Sequence, residues 1–133
     1  MMMTIEPASF IPIYEQIKTE IKSRIFLGTL RPNEPLPSIR DLAGELVVNP
    51  NTVARAYRDL EHEGFITTRK GKASFVAGDS TALIGREKQR ILGGIFERAL
   101  AEASKFGFTA EEIEAAFSDS LKTNRNKGGG EER

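Results

Sequence analysis

Residues 38–64 read SIRDLAGELVVNPNTVARAYRDLEHEG, and two helix starts inside this stretch decide the fold. Ser38 suits an N-cap, and Asp41 stands three residues on, where a carboxylate can reach back to the cap. Ile39, Leu42, Ala43 and Leu46 give that helix one buried side. It ends early, because Asn49-Pro50 demands a new beginning: Asn49 is a good N-cap, and Pro50 at the first helical position loses no needed N–H. The next helix therefore runs from Pro50 to Gly64, and Val47-Val48 is left as a tight turn.

Upstream, Ile13, Ile17, Ile21 and Ile25 recur every four residues with Lys18, Glu20, Lys22 and Arg24 between them. This predicts an amphipathic helix over Pro12–Leu27, Pro12 at its first position and Gly28 just past its end. Arg31–Pro37 holds Pro32, Pro35 and Pro37 and cannot be helical. Downstream, Phe65–Thr68 and Ala73–Val76 are strand candidates flanking Arg69-Lys70-Gly71-Lys72, whose glycine suits a hairpin turn. Helix, helix, tight turn, helix, hairpin is a winged helix-turn-helix, so the expected class is mainly α (α+β). Gly78–Thr81 reads as a linker, followed by a long helix from about Ala82 to Lys105. Thr109 and Glu112 form a capping box, with Phe108 and Ile113 at the staple positions, for a last helix ending near Lys122. The expected organisation is a DNA-binding domain over 1–78, a two-helix dimerisation region over 79–122 and a disordered tail over 123–133.

The chain has 133 residues, no cysteine and one histidine, His62, so thiolate metal sites, disulfides and multi-histidine zinc sites are excluded. No apolar run approaches a membrane span, and the Met1-Met2-Met3-Thr4 start lacks the charged and apolar regions of a signal peptide. These features point to a cytoplasmic protein that is not an enzyme and needs no metal or cofactor. Lys+Arg and Asp+Glu both count 19, so any basic surface must be local. Residues 1–78 carry 10 basic and 9 acidic side chains, a net of +1.

On a helical wheel, Val53, Ala56, Tyr57 and Leu60 form the core side of the third helix, with Asn51, Arg55, Arg58 and His62 opposite. Asn and Arg near the start of an exposed helix suit a major groove, where Asn can pair with adenine and Arg with guanine. Arg69, Lys70 and Lys72 add positive charge at the hairpin tip, within reach of phosphates or a minor groove. Each signal also has an ordinary explanation, a solvated helix face or a charged strand edge. His62, between Glu61 and Glu63, reads as a surface residue. Gly71-Lys72 lacks the spacing of a phosphate loop. Gly93-Gly94, inside a helical pattern, suggests close approach of another helix.

Taken together, Leu36-Pro37-Ser38-Ile39-Arg40-Asp41-Leu42-Ala43, Val48-Asn49-Pro50-Asn51-Thr52-Val53, Leu60-Glu61-His62-Glu63-Gly64-Phe65-Ile66, Gly71 and Phe75-Val76 closely resemble the GntR family of bacterial transcription regulators. The match spans roughly 10–78, and the Asn49–Val53 run with its short helical tail is similar to the YtrA-like subfamily. The resemblance implies a homodimeric DNA-binding repressor and carries DNA contact onto Arg40, Asn49, Asn51, Thr52, Lys70 and Gly71. Many relatives have arginines where this chain has Pro50 and Ala54, so Arg55, one position later, is the expected substitute.

In the long helix Ile91, Leu92, Ile95, Phe96, Ala99, Leu100 and Ala103 spread over about half the wheel, wider than one packing partner needs. With Ile113, Ala116, Phe117 and Leu121 on the last helix, this surface suits a second subunit. The expected function is a transcriptional regulator, a repressor binding double-stranded DNA at an inverted-repeat operator as a homodimer. The alternative is a winged-helix protein-interaction module without specific DNA binding. Two helices cannot enclose a substantial pocket, which leaves a small-molecule effector room only at the dimer or interdomain interface.

Overall fold

The fold is described from a computed structural model covering residues 1–69, 73–78 and 81–128. Contacts divide the chain into two compact units, Met1–Lys88 and Gln89–Arg133. In the first, α1 (Ile13–Phe26) buries Ile17, Ile21 and Ile25, and Pro12 serves as its N-cap, one position earlier than its spacing suggests. The Ser38 hydroxyl caps α2 (Ile39–Leu46) by accepting from the Asp41 N–H at 3.0 Å. Asn49 caps α3 (Pro50–His62), its side-chain oxygen accepting from the Asn51 N–H at 2.8 Å. The turn between them places Val47 in the left-handed region, φ 56° and ψ 54°.

The expected buried side of α3 holds: Val53, Ala56, Tyr57 and Leu60 join Ile17, Ile21, Leu42, Phe65, Ile66 and Val76 in one apolar cluster. Gly64 ends α3 at φ +89°, its N–H reaching the Glu61 carbonyl while the Phe65 N–H reaches that of Leu60. This two-bond stop needs a left-handed residue. A Cβ at Gly64 would also lie 2.8 Å from Leu83 Cδ2, the end of a flexible side chain that can turn aside, so it is the backbone conformation that demands glycine.

β1 (Ile66–Arg69) and β2 (Ala73–Val76) pair antiparallel, Ile66 opposite Val76 and Arg69 opposite Ala73. The proline-rich segment, expected only to be non-helical, lies along the other edge of β2. The Asn33 N–H donates to the Val76 carbonyl, the Val76 N–H to Glu34, and the Leu36 N–H to Ser74, all within 2.9 Å. The buried Tyr57 hydroxyl donates to the Pro37 carbonyl at 2.8 Å, tying this edge to α3. Prolines fit an edge, where missing N–H groups go unused.

α4 (Thr81–Ser104) begins in the first unit, where Leu83 and Ile84 pack on the core, and α5 (Ala110–Gly128) lies in the second. The Thr109–Glu112 capping box closes in both directions, at 2.8 and 3.1 Å. Phe96 of α4 meets Phe117 of α5 edge-on at 5.8 Å. Two expectations need correction. The last helix passes Lys122 and reaches Gly128, so residues 123–128 are helical; Glu111 and Glu112 in its first turn and Arg125 and Lys127 in its last complement the helix dipole. Residues 129–133 of the expected tail, and 79–80 of the expected linker, lie outside the described residues. Close approach of a helix at Gly93-Gly94 is not made within the chain: among the described residues nothing lies within 4 Å of a Cβ at Gly93, and at Gly94 only the Arg98 side chain, one turn along, does.

Candidate nucleic-acid interface

The exposed side of α3 carries Asn51, Arg55, Arg58 and His62, as its wheel requires, with Thr52 half-buried and Arg40 exposed on α2. Asn49 is exposed, but its side-chain oxygen is occupied by the cap. A two-bonded pairing with adenine needs both that oxygen and the amide NH2. Among the described residues the Asn51 side chain has no such engagement, and it is the better placed of the two. Lys70, Gly71 and Lys72 lie outside the described residues. Arg69 is not a free tip cation: its guanidinium lies over the Phe75 ring at 4.0 Å and donates to Asn33 Oδ1 at 3.1 Å, bracing the wing.

Arg55 is likewise engaged, its guanidinium 3.7 Å from the centre of the Tyr14 ring. The sequence alone does not single out Tyr14. Its place in the first turn of α1, beside the isoleucine stripe, carries no signal of which helix it meets.

The lysines of α1 are turned inward and engaged with carboxylates. Lys18 is buried and ion-pairs with Glu63 at 2.8 Å and Asp59 at 3.4 Å, while Lys22 pairs with Glu63 at 2.7 Å and Glu87 at 2.9 Å. Burial alone would lower the Lys18 ammonium's pKa, but its bond to Glu63 and the charges of Glu63, Glu15 and Asp59 outweigh this and hold it above the ordinary 10.5. Burial would raise the Glu63 carboxyl, but Lys18 and Lys22 hold it below 4.5. Several acidic groups are thus matched to buried or half-buried lysines, whereas Arg40, Arg55, Arg58 and Arg69 remain exposed. Among the described residues these four arginines are the exposed cations of the helix-turn-helix and wing, in a module whose net charge is +1.

In the second unit the expected dimerisation residues stay open to solvent: Leu92, Ile95, Phe96, Leu100, Phe117 and Leu121 are each more than two-fifths exposed, Ala99 is exposed and Ile91 half-buried. Phe96, Ala99, Leu100, Ile113 and Phe117 line an apolar groove between α4 and α5. Among the described residues no cluster could hold a metal ion, and no helix is long and apolar enough to cross a membrane.

Two helices joined by a tight turn, the second exposing Asn and Arg, with a hairpin behind it, define a winged helix-turn-helix protein of the nucleic-acid-binding class. The chain belongs to the gntR family of bacterial regulatory proteins, whose pattern matches residues 13–76, and is accordingly a transcriptional regulator. It is 33% identical over 112 residues to the HTH-type transcriptional repressor YtrA of Bacillus subtilis, covering 84% of this chain and 86% of that one. Its fold matches a GntR family transcriptional regulator from Listeria monocytogenes at a TM-score of 0.75 and 33% identity, over 86% of this chain and 98% of the other. The DNA-binding domain of AraR, solved in complex with operator ORX1, matches at a TM-score of 0.50 and 31% identity over 56% of this chain and 93% of that one.

Proposed function

We propose that this regulator is a repressor that binds an inverted-repeat operator as a homodimer, with α3 of each subunit in a major groove. The observation carrying this reading is the division of α3: Val53, Ala56, Tyr57 and Leu60 are buried, and Asn51, Arg55 and Arg58 are exposed on the opposite side. Asn51 and Arg55, one helical turn apart near the helix start, are assigned to base edges, with Thr52 beside them. Arg40 and Arg58 are assigned to phosphates, and the wing, with Arg69, Lys70, Gly71 and Lys72, to the backbone or minor groove. Asn49 acts through its cap, setting the position of Asn51.

The open apolar face of α4 and α5 supports the homodimer, since an exposed patch of this kind on a soluble chain needs cover and an isologous pair supplies it. A small-molecule effector, where one operates, would sit against this face or between subunits. The protein works in the cytoplasm, where its DNA is, without cofactor or catalytic step. The test is selection of bound sequences from a random DNA pool, followed by footprinting. Two symmetric half-sites about one helical turn apart are expected. Enrichment of a single asymmetric half-site refutes the dimeric reading, and no enrichment refutes specific binding.

A further inference from the structure

Tyr14 stands on α1, outside the helix-turn-helix, yet the Arg55 guanidinium sits over its ring, 3.7 Å from the centre. The ring is half-buried and packs on the core cluster, so the platform is fixed, while Arg55 itself is exposed. No ion pair or side-chain hydrogen bond joins Arg55 to another described residue. Stacking uses only the face of a guanidinium. Its five N–H donors lie in the plane and stay available for a two-bonded contact. Arg69 is the informative contrast, stacked on Phe75 but with a donor already given to Asn33. An arginine also gives up much rotamer freedom on binding, and one already stacked has given up part of it.

We propose that Tyr14 is a positioning residue for operator recognition: its ring holds the Arg55 guanidinium with its donors open toward a base edge, so a residue of the first helix tunes sequence discrimination. This rests on the assignment of Arg55 to base reading. The probes are a duplex selected by the wild-type protein from a random pool and a scrambled duplex of the same composition. The quantity read is the ratio of the two affinities for wild type, Tyr14→Phe, Tyr14→Leu, Arg55→Ala and the Tyr14→Leu/Arg55→Ala double variant. Tyr14→Leu should reduce the ratio about two- to fivefold, the size of an exposed cation–π contact, by weakening the selected duplex alone. Tyr14→Phe should keep most of the ratio, and the double variant should match Arg55→Ala. An unchanged ratio in Tyr14→Leu, or losses that multiply in the double variant, overturns the positioning role while leaving Arg55 as a reader. An unchanged ratio in Arg55→Ala overturns the reading of bases and this inference with it. In the unbound wild-type protein the Arg55 Nε–H proton should show a ring-current shift; a free-arginine shift overturns the stack without recourse to any variant.

Discussion

Replacing Val47 by glycine should stabilise this protein, although it removes an apolar side chain. Val47 closes α2 at φ 56° and ψ 54°, and its side chain is 88% exposed, so truncation forfeits almost no packing. The left-handed conformation costs an L-residue about 1–2 kcal/mol, and a β-branched residue stands at the upper end. Glycine escapes that cost but loses about 0.5–1 kcal/mol through its freer unfolded chain. The difference is a gain of about 1–1.5 kcal/mol. For a domain the size of the first unit this raises Tm by roughly 4–12 °C. Val47→Asn, which keeps a Cβ but tolerates the left-handed region, should fall between the two. Urea unfolding followed by circular dichroism measures it, with a higher midpoint and an unchanged slope expected. An equal or lower midpoint for Val47→Gly would mean that the turn stores no strain at Val47, and the argument fails.

Gly64→Ala should do the opposite and cost about 1–2 kcal/mol by the same denaturation, because a Cβ is strained at its φ of +89° while the Leu83 methyl can turn aside. Leu100→Glu combined with Phe117→Glu should leave a monomer in sedimentation and lower affinity for a symmetric selected duplex by a factor on the order of 100 or more, since the half-site contacts are no longer linked; a dimer that survives both charges refutes the assigned interface. Glu63, held below 4.5 in the folded state, contributes stability that is present above the unfolded-chain value and lost as pH falls through the folded one. Glu63→Gln should therefore be destabilised relative to wild type at pH 7, with the gap closing in acid; equal melting temperatures at pH 7 would show that Lys18 and Lys22 gain nothing from it.

The helix-turn-helix was legible from the chain because its signals are local. Ser38, Asn49-Pro50 and Gly64 act through the backbone within a few residues of themselves, and the structure repeats each of those caps and stops. The core side of α3 was legible for a similar reason, since a period of 3.6 residues places Val53, Ala56, Tyr57 and Leu60 together whatever lies opposite. What lies opposite was settled only by tertiary structure. That Asn33–Leu36 edges the wing, that Lys18 and Lys22 turn inward to Asp59, Glu63 and Glu87, and that Arg55 and Arg69 rest on Tyr14 and Phe75 all depend on residues distant in sequence meeting in space. A long cationic side chain has the same helical period whether its head meets water, a carboxylate or a ring. Only the packed neighbours choose among them, and so the positions of these arginines and lysines belong to the tertiary structure while the frame that presents them belongs to the sequence.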